Sequence, residues 1–298
     1  MRILLTGATG FIGRHLIGRL AASHDVVAVT RAEPGGKRQG ATWVEHDLTR
    51  SLERSQLPEK IDAVIHLAQS RRYREFPDGA SDVFAVNVES TFRLLEYARE
   101  ADARKFIFAS TGGVYGSSSK AVSETDRLNP LNFYLSSKYG AESLVTSYSS
   151  FFENIVFRFF FVYGPTQERM LIPSLFQRVL NGEKIVVEGN PGLRVNPIFI
   201  EDAISVFDPA LSLDRSDLFN VAGDEIATIT DLIGAMERVA DKRAVVEYAP
   251  AGVLGDLIGD NSRMKEVLGV QPRTRLNDGL KSMLESELSS SVMGKNDG

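Results

Sequence analysis

Short apolar runs alternate with longer amphipathic segments along the first half of the chain. After the first run, Ile12, Leu16 and Leu20 recur every four residues, which predicts a helix with one apolar face. The short runs are continuous rather than alternating, which predicts strands buried on both faces of a parallel sheet. They cover residues 2–7, 25–30, 42–48, 61–68, 105–110 and 154–160. Strands separated by helices in this order predict an α/β fold with a Rossmann-type doubly wound parallel sheet.

The pattern changes after about residue 165. Residues 1–165 form the predicted sheet domain, and apolar segments within 195–222 predict that the chain returns to it. Residues 166–288 predict a smaller, mostly helical lobe. The last ten residues, 289–298, have little to bury, and we expect them to be disordered.

The composition argues against several classes of protein. The 298 residues contain no cysteine, which excludes disulfides, thiolate catalysis and cysteine-ligated zinc. A net charge of −5 does not favour nucleic acid, whose phosphates require clustered basic side chains. No apolar stretch reaches the length of a membrane span, because Arg158 interrupts the closest candidate, 155–164. We therefore expect a cytoplasmic protein with neither nucleic acid nor a membrane as partner.

Three glycines stand at the junction of the first strand and the first helix. Gly7, Gly10 and Gly13 have the spacing GxxGxxG. Glycine permits both the sharp turn and a close approach of the backbone to a pyrophosphate, which the N–H groups at the helix start then bind. A tight turn without a ligand is the alternative, but the position after a strand and before a helix favours a dinucleotide site.

A tyrosine and a lysine lie four residues apart in a predicted helix. At this spacing Tyr134 and Lys138 share one helix face. A free phenol titrates near pH 10 and is a poor base at neutral pH, but a nearby ammonium group favours the phenolate. The pair can therefore exchange a proton with an alcohol or a carbonyl. Taken alone, the pair is better explained as an ordinary pair on a helix surface, because such pairs are common.

Taken together, these motifs resemble a known family. The segments "TGATGFIG", "FASTGGVYG" and the Y-x-x-x-K pair are similar to those of the extended short-chain dehydrogenase/reductase family, in its nucleotide-sugar epimerase/dehydratase branch. "HDLT", "HLAQS", "RFFFVYGP" and "RVNPIFIEDA" extend the resemblance over nearly the whole chain. The resemblance implies an enzyme that transfers a hydride between NAD or NADP and a nucleotide-activated sugar, with the second lobe binding the substrate.

The resemblance also assigns roles to residues. Tyr134 would be the acid/base, Lys138 would hold the cofactor ribose and lower the tyrosine pKa, and Thr111 would hydrogen-bond the reacting oxygen. Ser110 is the alternative to Thr111, and Asn87 would brace the active-site helix. The residues expected against the cofactor are Gly7, Thr9, Gly10, Phe11, Ile12, Gly13, Arg31, Asp47, Leu48, Leu67, Ala68, Gln69, Asn87, Ser110, Tyr134, Lys138, Phe161 and Val162. No His/Asp/Glu cluster suggests a metal, and His66 is expected in the core.

Two departures from the family pattern narrow the chemistry. Gly112 and Gly113 stand where the family's dehydratases carry an acidic pair, so elimination of water lacks its acid and base. A 4-epimerase or a ketoreductase remains. At the end of the second strand, Arg31 stands near the place where NAD enzymes carry an acidic residue, which favours NADP slightly over NAD.

The substrate side is assigned more loosely. Arg194 matches a phosphate-contacting arginine of the family, whereas Phe161 stands where an asparagine is usual. Arg71, with Gly112 and Gly113, completes the expected substrate contacts. Phe161 leaves open a reductase of small non-nucleotide carbonyls, and a non-catalytic NAD(P) sensor is a further alternative. The resemblance also implies a homodimer built through the helices around 83–100 and 133–152.

Overall fold

The computed structural model describes residues 1–32, 40–52, 54–252 and 255–293. They form two compact units, each built from several chain segments. The first unit consists of Met1–Gly116, Arg127–Arg158 and Val206–Phe219. The second consists of Ser117–Asp126, Phe159–Ser205 and the chain from Asn220 onward. Compared with the expected boundaries, the second unit also takes Ser117–Asp126, and the chain returns to the first unit only over Val206–Phe219.

The helices and strands of the described residues follow the predicted alternation. The strands are β1 (Arg2–Thr6), β2 (Asp25–Thr30), β3 (Thr42–Glu45), β4 (Ala63–His66), β5 (Lys105–Thr111), β6 (Glu153–Phe159), β7 (Val162–Tyr163), β8 (Lys184–Glu188), β9 (Arg194–Val195), β10 (Ile198–Phe199), β11 (Asp217–Val221), β12 (Ala227–Thr228) and β13 (Val245–Ala249). The helices are α1 (Phe11–Ala21), α2 (Ala80–Phe84), α3 (Ser90–Glu100), α4 (Phe133–Ser147), α5 (Leu171–Asn181), α6 (Ile200–Ile204), α7 (Phe207–Ser212), α8 (Ile229–Ala240), α9 (Ser262–Leu268) and α10 (Leu276–Met293).

A seven-stranded sheet builds the first unit. Its strand order is β11-β6-β5-β4-β1-β2-β3. β1 pairs in parallel with β2 on one side and with β4 on the other. The order in which strands are added to the sheet therefore reverses at β1. This is the strand order of a doubly wound nucleotide-binding sheet, in which ligands bind at the carboxyl ends of the strands beside the switch point. The predicted fold class is confirmed.

The core of the first unit explains why the short apolar runs became strands. Ile3, Leu4 and Leu5 of β1 are fully buried, as is the whole of β4. α3 and α4 cover the sheet with apolar faces that include Leu94, Leu95 and Val145. Burying a side chain of this size stabilises the fold by about 1.5–3 kcal/mol. Strands covered on both sides have no face for polar residues, which accounts for the continuous apolar runs.

The second unit contains helices α5, α6, α8, α9 and α10 and three two-stranded sheets. β10, which we expected to rejoin the main sheet, pairs instead with β7. Thr228 caps α8 through a reciprocal pair of hydrogen bonds with Asp231. The expectation of disorder from residue 289 is wrong for its first part, because α10 continues to Met293. Residues 294–298 lie outside the described residues.

None of the helices in the part of the chain that the structure describes is long and apolar enough to cross a membrane.

Candidate active site

The turn between β1 and α1 requires glycine at two positions. Gly7 has a φ of 73°, and a Cβ there would lie 2.7 Å from the backbone nitrogen of Ala68. A Cβ on Gly13 would lie 2.2 Å from the backbone oxygen of Gly7. Both distances are shorter than real carbon contacts, so any side chain would force the turn open. The geometry of the turn itself therefore requires glycine at positions 7 and 13 of the predicted motif.

The same turn fits a dinucleotide phosphate. Gly10 is the N-cap of α1 and supplies no side-chain hydrogen bond to the helix. The N–H groups at the start of a helix have no acceptor within it, here those of Phe11, Ile12 and Gly13. Together with the positive end of the helix dipole, these donors favour the binding of an anion. The chemistry of these donors suits the pyrophosphate of NAD or NADP.

Helix α4 presents the predicted acid/base. Asn132 caps the helix by accepting a hydrogen bond from the Leu135 N–H at 2.9 Å. The Tyr134 hydroxyl donates a hydrogen bond of 2.9 Å to Oε1 of Gln69, which follows β4. Lys138 is buried, and its ammonium lies 4.2 Å from the centre of the Phe108 ring. Tyr134 thus contacts Gln69, the residue after "HLA", and Lys138 packs on Phe108 of β5.

The ionisation of the pair differs from the expectation. Burial raises the pKa of Tyr134 above its ordinary value, and Tyr73 beside it raises it further. Burial lowers the pKa of Lys138 to about 7, and the nearby Glu142 carboxylate opposes that change. Burial thus opposes the lowering of the Tyr134 pKa that was expected from Lys138. The phenol of this structure is a proton donor.

The strand β5 separates the two candidate hydroxyls. Successive side chains of a strand point to opposite faces. Ser110 is buried and donates a hydrogen bond to Glu142 of α4, whereas the Thr111 hydroxyl accepts one from the Gly113 N–H at 3.2 Å. A Cβ on Gly113 would lie 2.6 Å from Leu135, so this turn packs on the first turn of α4. Ser110 therefore belongs to a buried network with α4, and the choice of Thr111 as the hydroxyl that acts with Tyr134 remains a prediction.

Asn87 connects the end of β4 to α4. It is fully buried in a π-helical turn, Ala85–Glu89. Its amide donates a hydrogen bond to the Ser137 hydroxyl and accepts one from the Ser70 N–H, each at 2.9 Å. These bonds link the end of β4 to α4, which is the connection that the expected brace requires. They also use the amide group, and direct contact of Asn87 with a cofactor remains a prediction.

Residues 3–222 match the model of the NAD dependent epimerase/dehydratase family. The chain belongs to this family. Among curated proteins, the uncharacterized UDP-glucose epimerase YtcB of Bacillus subtilis is 28% identical over 94% of this chain and 96% of its own. The UDP-glucose 4-epimerase of Mycolicibacterium smegmatis is 30% identical over 96% of this chain and 98% of its own. Among solved structures, the UDP-glucuronic acid 4-epimerase from Bacillus cereus in complex with UDP-glucuronic acid and NAD is 27% identical, with a TM-score of 0.87 over 97% of this chain and 100% of that chain.

Membership of the epimerase/dehydratase family makes the chain an enzyme that uses a nicotinamide dinucleotide, and it agrees with the expected hydride chemistry. Within this family fold, His66 is a core residue, as expected. It is fully buried between the hydroxyls of Thr6 and Thr91, at 2.7 and 3.1 Å. Burial lowers the pKa of His66 to about 3 with help from Lys138, so its ring is neutral.

Two predicted cofactor residues follow β3. Asp47 accepts a hydrogen bond from the Thr49 N–H at 3.0 Å, which lowers the Asp47 pKa, and the charge of Arg31 lowers it further. Arg31 is exposed at the end of β2. Its positive charge is close enough to Asp47 to contribute to the lowered pKa of that carboxyl. Leu48 is buried in the core of the first unit, and its contact with a cofactor remains a prediction.

The remaining substrate candidates lie apart in the chain. Arg71 is exposed in the first unit. In the second unit, Arg194 pairs with Asp256 at 2.7 Å and donates a hydrogen bond to the Ser119 carbonyl at 3.1 Å. Phe161 has a φ of 43°, an uncommon backbone conformation that is concentrated at functional sites. Their roles toward a substrate remain predictions.

Sequence reasoning missed four residues around α4. The Tyr73 ring lies 4.9 Å from that of Tyr134. Glu142 forms a buried ion pair with Arg158, whose guanidinium also donates a hydrogen bond to the Tyr115 hydroxyl at 2.7 Å. Glu142 lies eight residues after Tyr134, on the same helix face, so helical spacing was the available signal. The sequence gives no such signal for Tyr73, because the arginines on both sides of it make the segment look like an ordinary charged loop.

Proposed function

We propose that this protein is a 4-epimerase of a UDP-activated sugar and that it uses NAD. The observation that carries the proposal is the placement of the Tyr134 hydroxyl, which meets Gln69 just beyond β4, next to the strand that ends in the glycine turn. An acid/base and a phosphate loop at one sheet edge are the parts that a hydride-transfer enzyme requires. The curated relatives and the Bacillus cereus structure support UDP sugars and NAD.

The chain's own groups account for the proton steps of a 4-epimerisation. As a phenolate, Tyr134 removes the proton of the C4 hydroxyl while C4 is oxidised and becomes a phenol. It returns this proton to the C4 oxygen after the keto sugar has exposed its other face. Thr111 orients the reacting oxygen, and Lys138 holds the ribose beside the phenol. When bound, NAD supplies the chemistry that accepts a hydride from C4 and gives it back.

The glycine pair after Thr111 argues against a 4,6-dehydratase. Neither Gly112 nor Gly113 can donate or accept a proton through a side chain. A carboxylate could not simply be added at position 113, because its Cβ would lie 2.6 Å from Leu135. The alternative that the site leaves open is a ketoreductase, which needs only the hydride and the proton of Tyr134. The two differ in whether the dinucleotide is consumed.

The choice of NAD over NADP rests on the relatives. Arg31 at the end of β2 is the one feature that points to a 2′-phosphate, and its charge lies near Asp47. Titration with NAD and NADP, each in its oxidised form, and with the Arg31→Ala variant tests this choice. NAD is expected to bind more tightly, and preferential NADP binding that is lost in Arg31→Ala would contradict it.

We also infer a homodimer in the cytoplasm. Phe84 of α2, Phe92 of α3 and Tyr139 of α4 are 52%, 47% and 41% exposed, an apolar surplus on the helices expected to form the contact. Phe92→Glu is expected to give monomers in light scattering, whereas Val245→Glu, at an exposed site of the second unit, leaves the mass unchanged. An equal mass for wild type and Phe92→Glu contradicts this interface.

The absence of cysteine supports a reducing compartment.

The activity itself is tested by incubating the protein and NAD with UDP-glucose, UDP-galactose, UDP-glucuronic acid or dTDP-glucose. We expect interconversion of C4 epimers of at least one UDP sugar, seen by proton NMR, without net reduction of NAD. Consumption of NADH or NADPH with a 4-keto sugar identifies the ketoreductase instead. No conversion of any of these compounds counts against the proposal.

A further inference from the structure

The segment after β4, residues 69–79, contacts the acid/base directly. The Tyr134 hydroxyl donates a hydrogen bond of 2.9 Å to Oε1 of Gln69. The Tyr73 ring lies 4.9 Å from the Tyr134 ring, with an angle of 44° between the planes. One residue of this segment therefore holds the hydroxyl, and a second packs on the ring that carries it.

The segment is held firmly enough to position a side chain. The Ser70 N–H donates to the buried Asn87 amide at 2.9 Å, and the Ser70 hydroxyl donates to Asp82. Further along, Phe76 stacks on Phe133, with ring centres 5.3 Å apart and planes at 27°. Contacts on both sides of Tyr73 therefore fix the segment against the first turn of α4.

We propose that Gln69 is a positioning residue that holds the proton and the orientation of the Tyr134 hydroxyl until a substrate oxygen takes its place as hydrogen-bond acceptor. The inference deepens the proposed epimerase function and rests on it. A hydrogen bond donated by a phenol stabilises the protonated form, so Gln69 opposes ionisation and the reacting oxygen has to displace it. Tyr73 acts with Gln69 by confining the ring.

The surroundings of the hydroxyl agree with this role. The titratable groups near it are Tyr73 in the segment and Lys138 one helical turn further along α4. Arg74 lies over the Tyr73 ring, 5.2 Å from its centre. The Glu142 carboxylate raises the pKa of Lys138, and Lys138 lowers the pKa of His66. Burial and Tyr73 both raise the pKa of Tyr134, in the direction that the Gln69 hydrogen bond also favours.

The test compares Gln69→Leu, which removes the acceptor at similar volume, with Gln69→Glu, which keeps it and adds a negative charge. At saturating dinucleotide, kcat/KM for the UDP sugar is expected to rise with pH as Tyr134 becomes able to accept a proton. The midpoint of this rise should move down by about 0.5–1 pH unit in Gln69→Leu and up in Gln69→Glu, which corresponds to one hydrogen bond. Unmoved midpoints in both variants overturn the inference, as does a change confined to dinucleotide affinity.

A second measurement needs no turnover. With 13Cζ-labelled tyrosine, Tyr134→Phe identifies the Tyr134 signal among the eight tyrosines. We expect this signal to titrate at lower pH in Gln69→Leu than in wild type, and a signal that titrates no earlier overturns the inference. If the wild type converts no sugar but the signal shifts as expected, the proposed function fails and the role of Gln69 stands. Tyr73→Ala, which removes the ring that packs on Tyr134, should lower kcat at least tenfold.

Discussion

The guanidinium of Arg158 and the carboxylate of Glu142 form an ion pair of 2.7 Å in which each side chain is only 5% exposed. Arg158 reaches it from β6 and Glu142 from α4, so the pair ties the active-site helix to the sheet. The Ser110 and Tyr115 hydroxyls add hydrogen bonds to the carboxylate and the guanidinium. The pair itself adds little to the stability of the fold, but a buried charge without its partner is costly. Removing one of the two residues should therefore destabilise the protein more than removing both.

Removing one member of this pair is expected to destabilise the protein severely. Arg158→Met leaves the Glu142 carboxylate buried and uncompensated, at a cost of about 3–5 kcal/mol in the free energy of unfolding. The double variant Arg158→Met/Glu142→Met should recover most of that loss in a urea titration. As a control, Lys60→Met at the exposed ion pair with Asp102 should have little effect. A double variant no more stable than Arg158→Met contradicts the argument.

Tyr134→Phe is expected to separate binding from chemistry. The ring and its contact with Tyr73 remain, but no hydroxyl is left to move a proton. Dinucleotide affinity should be close to that of wild type, while the turnover of the UDP sugar falls by about two to four orders of magnitude. Tyr139→Phe is a matched control on the same helix, since that side chain is exposed. Turnover by Tyr134→Phe within tenfold of wild type contradicts the assigned role.

Lys138 is expected to make stability depend on pH. Its pKa is lowered to about 7 from 10.5, so between these values the unfolded chain binds more protons than the folded one. Stability therefore rises with pH across that window, and the destabilisation from the buried ammonium is complete below about pH 7. The stability difference between wild type and Lys138→Met should change by a few kcal/mol, on the order of 1.4 per pKa unit, from pH 7 to 10. Lys60→Met should show no such change, and parallel curves for wild type and Lys138→Met contradict the prediction.

The glycine turn offers two substitutions with opposite outcomes. Gly13→Ala places a Cβ 2.2 Å from the Gly7 backbone oxygen, so the turn must open and dinucleotide affinity should fall at least tenfold. Gly140→Ala, in the middle of α4, meets no atom within 4 Å. It should stabilise the protein by about 0.5–1 kcal/mol, because alanine favours a helix. Calorimetric NAD titration and thermal unfolding measure both effects. Unchanged affinity in Gly13→Ala excludes this turn as the phosphate site.

The sequence by itself determined the features whose cause is local. Continuous apolar runs predict buried parallel strands because a covered sheet has no polar face. The spacing of Gly7, Gly10 and Gly13 predicts the turn because only glycine fits there. The positions of Tyr134 and Lys138 on one face follow from helical geometry alone. These signals were sufficient for the fold and for the two central residues of the site.

Only the tertiary structure decided which groups meet around those residues. Gln69 and Tyr73 are more than sixty residues from Tyr134 in the chain, and strand pairing and the fold of the 69–79 segment bring them together. The contact of Ser110 with Glu142 likewise depended on which face of β5 lies against α4. The ionisation of the pair reversed the expectation because burial, which spacing does not reveal, dominates the pKa of both Tyr134 and Lys138.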